Sequence, residues 1–129
     1  MVRFAPAPRL LMGLLLSLAS APALAADGAQ LFEAQCKICH SGPSTALAPS
    51  LAGVVGAKIA ARDDFAYSPA LKAKEGTWTD ENLDTFLKGP AAFAPGTKMF
   101  IEPQSDENRA ALIEYLKTLK PDPPKSDTP

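Results

Sequence analysis

Histidine, cysteine and tryptophan are scarce in this chain. Its 129 residues hold one histidine, two cysteines and one tryptophan. Two cysteines are too few for a disulfide-dense scaffold. They leave room for one disulfide, one redox pair or one cofactor attachment. A surplus of charge is missing as well. Lys and Arg number 13 against 14 Asp and Glu, a formal charge of −1, so no basic excess marks a nucleic-acid binder. There is no internal repeat, no glycine-rich phosphate loop and no βαβ pattern. No stretch reads as a strand of convincing length. Proline is the one residue in plenty. With 13 prolines and 8 glycines the content is high for a compact domain, yet short of the level that signals disorder.

Residues 1–25 read as a secretory signal peptide. Arg3 and Arg9 supply the positive start, and the apolar run 10–19 is broken only by Gly13 and Ser17. Ala23-Leu24-Ala25 then offers a small-x-small cleavage site. The competing reading is an uncleaved membrane anchor, but the run falls short of the roughly 20 apolar residues a span needs. The expected location is therefore a bacterial periplasm. Cleavage removes Arg3 and Arg9 and takes the formal charge from −1 to −3. It also removes Met1 and Met12, leaving Met99 as the single methionine beside the single histidine, His40. Residues 26–120 form the expected domain. Residues 121–129, PDPPKSDTP, have no apolar anchor and read as an extended tail. Some 95 residues bury only about 60–65% of their unfolded surface and gain from a staple. A large apolar cofactor would serve as one.

The pattern is helical. Asp27 caps a helix toward the cysteines, with Leu31, Phe32 and Ala34 as its apolar contacts. Residues 41–57 read as loop. Ser68 and Pro69 open a short helix through about Lys74, ended by Gly76. Thr79 caps a clear helix whose Asp80 and Glu81 favour its positive end. Leu83, Phe86 and Leu87 form its apolar face, and Lys88-Gly89-Pro90 stops it. Residues 90–104 read as loop. Ser105 or Asp106 starts the last helix, with Leu112, Tyr115, Leu116 and Leu119 on one face and Pro121 beyond its end.

The chemistry sits at Cys36-Lys37-Ile38-Cys39-His40. C-x-x-C-H is the attachment signature for c-type haem. Two thiols three residues apart can reach the two vinyl groups of one porphyrin, and the histidine that follows is held as a proximal ligand. Three plainer readings compete. One is a short-loop disulfide. Another is a thioredoxin-type redox pair, which needs a βαβ context absent here. The third is half of a zinc site, which would have to recruit carboxylates. Met99 stands equally, by composition, as a second axial ligand or as a core filler. A thioether ligand favours reduced iron, and two protein ligands close the metal to substrates.

These residues and their order resemble class I cytochrome c, the branch with mitochondrial cytochrome c and its soluble bacterial counterparts. The resemblance spans about residues 27–119. Gly28 and Phe32 precede the C-K-I-C-H motif at the family's spacing, matching positions where the first helix packs on the last, opposite Leu112 and Tyr115. Pro49-Ser50-Leu51-Ala52-Gly53 looks like the loop whose proline carbonyl accepts a hydrogen bond from the proximal histidine. Phe65-Ala66-Tyr67-Ser68 and Thr77-Trp78-Thr79 resemble the segments that supply propionate partners. Leu83 to Pro90 matches the helix before the ligand loop, and Pro95-Gly96-Thr97-Lys98-Met99 is nearly word for word the ligand loop itself. The resemblance implies an all-α fold, helices wrapped around one haem c held by Cys36 and Cys39. It implies His40 and Met99 as axial ligands. Pro49 would orient His40, and Tyr67, Trp78 and Thr97 would be hydrogen-bond donors near the propionates. Ile38, Leu51, Leu87, Phe93 and Leu116 are expected to line the apolar pocket.

Departures from the family bear on partners. Gly56-Ala57 stands where mitochondrial relatives carry an arginine, so a propionate charge partner is lost unless Lys58 or Arg62 replaces it. Phe86 replaces a tyrosine near the ligand sulfur. Ala91 and Ala92 replace docking lysines, and no lysine-rich stretch follows Met99. Lys37, Lys58, Lys88 and Lys98 are the cations expected near the haem edge. The implied docking patch is small and apolar, including Ala91, Ala92 and Phe100, with weak salt dependence. The expected function is a monomeric, non-enzymatic periplasmic carrier of single electrons between redox proteins, with no small-molecule substrate. One alternative is a haem c subunit of a dehydrogenase or oxidase complex. The other is a small haem peroxidase or ligand-binding protein with Met99 dissociated.

Overall fold

The computed structural model describes residues 1–3, 5 and 27–123. The expected signal peptide, apart from residues 1–3 and 5, lies outside these, as does the tail beyond Pro123. Among the described residues five α-helices follow in order: α1 Gly28–Leu31, α2 Pro69–Lys72, α3 Asp80–Lys88, α4 Pro90–Phe93 and α5 Asp106–Leu116. A π-helical turn over Phe32–Cys36 carries α1 into the cysteine motif. Lys58 and Thr77 pair in one antiparallel bridge, and no strand occurs among the described residues. No helix among them is long and apolar enough to cross a membrane.

Local chemistry sets the helix starts. Asp27 accepts from Ala29 N–H, Ser68 from Leu71 N–H and Ser105 from Asn108 N–H. Thr79 and Asn82 satisfy each other's backbone N–H in a capping box. Two helix ends and one segment differ from the sequence expectation. The helix opened by Pro69 stops at Lys72, two residues early, because Ala73 and Lys74 close back onto Pro69 and Leu71 carbonyls. Helix α5 stops at Leu116, and residues 117–119 continue in turns well before Pro121. Segment 90–104, expected as loop, opens with α4, since Pro90 sits at the first helical position with two alanines behind it. Ala34 is exposed rather than packed.

The close crossing of α1 and α5 holds one core. Leu31, Phe32, Leu112 and Leu116 are buried there. The Phe32 and Tyr115 rings lie 5.0 Å apart, tilted at 47°. Gly28 is the point of closest approach: a Cβ there would strike the Ala111 carbonyl and come within 3.0 Å of Tyr115 Cβ. The second core joins α3 to the middle of the chain through Ile59, Leu71, Trp78, Leu83, Phe86, Leu87, Ala94 and Ile113. Pro121 and Asp122, which the sequence assigns to the tail, are tied down. Pro121 covers Gly53, which has φ +64 and donates its N–H to Leu119 O. Asp122 Oδ2 accepts from Arg62 Nη2 at 3.0 Å.

Candidate functional site: an apolar slot between two segments

The π-helical turn ends where the motif begins. His40 N–H donates to Cys36 O at 2.9 Å, and Cys39 N–H to the same carbonyl at 3.2 Å. One carbonyl thus gathers the motif into a tight turn. His40 Nδ1 donates to Pro49 O at 2.8 Å. With Nδ1 carrying the proton, the lone pair is left on Nε2, the nitrogen free to bind a metal. Burial pushes the His40 imidazole below its ordinary pKa, and the Pro49 bond pulls partly back. Burial also raises the Cys36 thiol above its usual value, so Cys36 does not resemble an activated thiolate. Cys36 and Cys39 are both free, not joined to each other.

Two adjoining cavities, of about 250 Å³ and 240 Å³, share Cys36, His40, Pro49, Tyr67, Leu71 and Met99 in their walls. Together they make a largely apolar slot. Trp78, Leu51, Leu87 and Leu116 line the first cavity only, together with Lys58 and Arg62. Cys39, Ile38, Thr97 and Lys98 line the second only. Every residue expected to bind or orient the cofactor (Cys36, Cys39, His40, Pro49, Tyr67, Trp78, Thr97 and Met99) therefore borders the slot. Phe93 does not border it. It stacks behind Trp78 with ring centroids 5.8 Å apart, and Lys74 Nζ sits 4.6 Å over its ring. Lys37 is spent in an ion pair with Glu33 at 2.8 Å, and Lys88 borders neither cavity.

Polar groups gather at one end of the first cavity. The Arg62 guanidinium is bidentate on Asp64, at 3.0 and 2.9 Å. That pairing, helped by Ser44, holds the Asp64 carboxyl at about 2. Burial raises the Tyr67 phenol above its ordinary value, against a backbone hydrogen bond from Arg62. The mouth of the second cavity is apolar instead, with Ile38 85%, Leu47 76% and Phe100 88% exposed on its rim. Among the described residues no group of three or more His, Cys, Asp or Glu is arranged to hold a metal ion. The donors at the slot are two thiols, one imidazole and one thioether around apolar walls. That set fits a flat apolar macrocycle with a central metal.

The cytochrome c family model matches residues 25–120. The chain belongs to the cytochrome c family. It is 46% identical over 98 residues to a cytochrome c of Tetrahymena pyriformis, covering 74% of this chain and 88% of that one. It is 42% identical over 95 residues to a cytochrome c2 of Rhodomicrobium vannielii, covering 70% of this chain and 75% of the relative. The solved cytochrome cH from Methylobacterium extorquens superposes with a TM-score of 0.64 at 39% identity, over 72% of this chain and 99% of that one. The fold is thus the all-α class I cytochrome c fold. Cytochromes c are electron carriers that work between redox partners and hold one covalently attached haem c.

Sequence reasoning missed one polar centre. Arg109 is 4% exposed and meets Asp84 at 2.7 Å, Asp106 at 2.6 Å and Gln104 O at 2.9 Å. A signal was present: Arg109 stands three residues before Leu112 and seven before Leu116, in phase with the buried face of α5. A charge in that phase demands a partner. Leu47, on the slot's rim, carries no comparable signal.

Proposed function

We propose that this cytochrome c is an exported periplasmic carrier of single electrons, with haem c joined to Cys36 and Cys39 and bound axially by His40 and Met99. The observation that carries the reading is shared geometry: Cys36, His40 and Met99 border both halves of one slot. Haem held there supplies a metal that gains and loses one electron. The chain's residues do the rest. Pro49 O fixes the His40 ring and leaves Nε2 as the donor atom. Leu51, Leu87 and Leu116 exclude water from the slot. Tyr67 and Trp78 offer an O–H and an indole N–H to a buried carboxylate, with Thr97 beside the ligand segment. Arg62 is committed to Asp64 and Asp122, so Lys58 takes the place of the absent arginine as propionate charge partner. Two protein ligands leave no open position for a substrate, and the chain performs no catalysis. Residues 1–25 act as the cleaved signal peptide, and 26–120 form the domain that works as a monomer when free.

Partners dock on the apolar rim of Ile38, Leu47 and Phe100; Ala91 and Ala92 are exposed as well but border neither cavity. Electron-transfer rates then fall only weakly with salt; a steep fall would overturn this surface. The same rim favours a second reading, a haem c subunit of a larger dehydrogenase or oxidase complex, which co-purification with that complex would establish. The deciding experiment is the visible spectrum of the exported protein. Narrow reduced bands of covalently bound haem, with a weak sulfur-to-iron band in the oxidised form, support the proposal. Covalent haem without the sulfur band moves the reading to ligand binding or peroxidase chemistry. No haem band, from cells able to attach haem, refutes it.

A further inference from the structure

Met99 lies in a segment with few hydrogen bonds of its own. Its own N–H reaches Thr97 Oγ1 only at 3.5 Å. Thr97 N–H donates to Ala94 O at 3.0 Å, and Met99 and Ile101 pack against the second core; the polar ties to α5 begin at Gln104, where the chain returns toward that helix. The Gln104 carbonyl accepts from Arg109 Nη1 at 2.9 Å. Its side-chain amide donates to Gln35 Oε1 at 2.6 Å, 69 residues away and directly before Cys36. The same guanidinium grips Asp84 on α3 and Asp106 on the first turn of α5. One buried cation therefore binds α3, α5 and the far end of the Met99 segment, and Gln104 passes that tie to the cysteine motif.

We infer that Arg109 is a positioning residue for Met99, acting through Gln104 and Gln35 to hold the thioether across the slot from His40. The inference rests on the His40/Met99 reading. Charge-assisted hydrogen bonds are worth more than neutral ones, and the planar fork serves three acceptors that a lysine cannot serve together. Removing it frees the segment that carries Met99 before it frees anything else at the slot.

The test uses the haem-loaded protein and two variants, Arg109→Lys and Gln35→Ala. Gln35→Ala cuts the Gln104 link without disturbing a buried charge, so it reports even if Arg109→Lys folds poorly. Two readouts are followed: the alkaline pH at which the sulfur-to-iron band disappears, and the affinity for added imidazole. Arg109→Lys is expected to lose the band about one pH unit lower and bind imidazole about tenfold more tightly. Gln35→Ala is expected to shift imidazole affinity about threefold in the same direction. If both variants keep the parent's band midpoint and imidazole affinity within twofold, whatever their melting temperatures, Arg109 is a structural ion pair only and the inference fails. If the parent itself lacks the band, the inference falls together with the His40/Met99 reading.

Discussion

The two walls of the slot are built in opposite ways. On the His40 side the contacts that set the motif and the ring are close in sequence. Cys36, Cys39 and His40 share one carbonyl, and the ring's partner, Pro49, is nine residues away. On the Met99 side local hydrogen bonds are few, and the polar ties come from Gln35 and Asp84, 69 and 25 residues from the groups they hold. The first wall is written as a motif and needs little of the fold. The second exists only once α3 and α5 have met. Local contacts cost little chain entropy to close, whereas remote ones form late and open first. The Met99 side is therefore the labile one.

The largest break removes the local wall. Replacing Cys36 and Cys39 together by alanine leaves no thiol at the slot, so covalent haem, read on a denaturing gel, should vanish entirely. Haem retained on that gel would mean another residue attaches it, and the contrast would lose its foundation. Next comes Met99→Ala. It should keep covalent haem, lose the sulfur-to-iron band and bind imidazole at least about tenfold more tightly, because no internal ligand competes. Its reduction potential should fall, since a soft thioether favours the reduced metal. An unchanged band would place the sulfur elsewhere.

The same contrast explains what the sequence could reveal. The caps Asp27, Ser68, Thr79 and Ser105 are local, and their helices start where the residues say. The ends of α2 and α5 depend on how turns settle against neighbours, and there pattern reading overran. Helix α4 was hidden because three prolines in 90–104 read as loop, although proline at a first helical position is well placed. Phe93 looked like pocket lining by its apolar character, but the Trp78 and Phe86 rings draw it behind the wall. The attachment motif was legible because its chemistry lies within five residues. Arg109 was not, because its partners lie on three separate segments.

A sharper test asks whether the helix crossing supports both walls. In Gly28→Ala the new methyl would run into the Ala111 carbonyl and sit 2.7 Å from its carbon and 3.0 Å from Tyr115 Cβ. Backbone cannot yield as a flexible side chain does, so α1 and α5 must separate. Urea unfolding should show a loss of about 1–3 kcal/mol, and the sulfur-to-iron band should weaken while covalent haem stays. Equal stability in parent and variant would show that the crossing is looser than it looks.

The smallest effect concerns a longer tie on the His40 side. Ser44 Oγ donates to Asp64 Oδ1 at 2.8 Å, and Ser44 also accepts the Ser50 N–H at 2.9 Å, beside Pro49. Asp64 is held in turn by Arg62. Its carboxyl titrates at about 2 rather than the ordinary 3.8, chiefly through the Arg62 bonds and then through Ser44. Between those two values the unfolded chain binds the proton that the folded chain refuses, so acid favours unfolding. The Asp64 contribution is complete above the ordinary value and is lost as pH falls through about 2. Asp64→Asn should therefore melt slightly below the parent near neutral pH, and the gap should close as the solution is taken down toward that value. Because the pair is exposed and screened, the shift should be small and should shrink further in salt. A gap that stays constant from neutral pH to strong acid would show that Asp64 acts by shape and not by charge. The His40 wall would then owe nothing to ionic support from the distant chain.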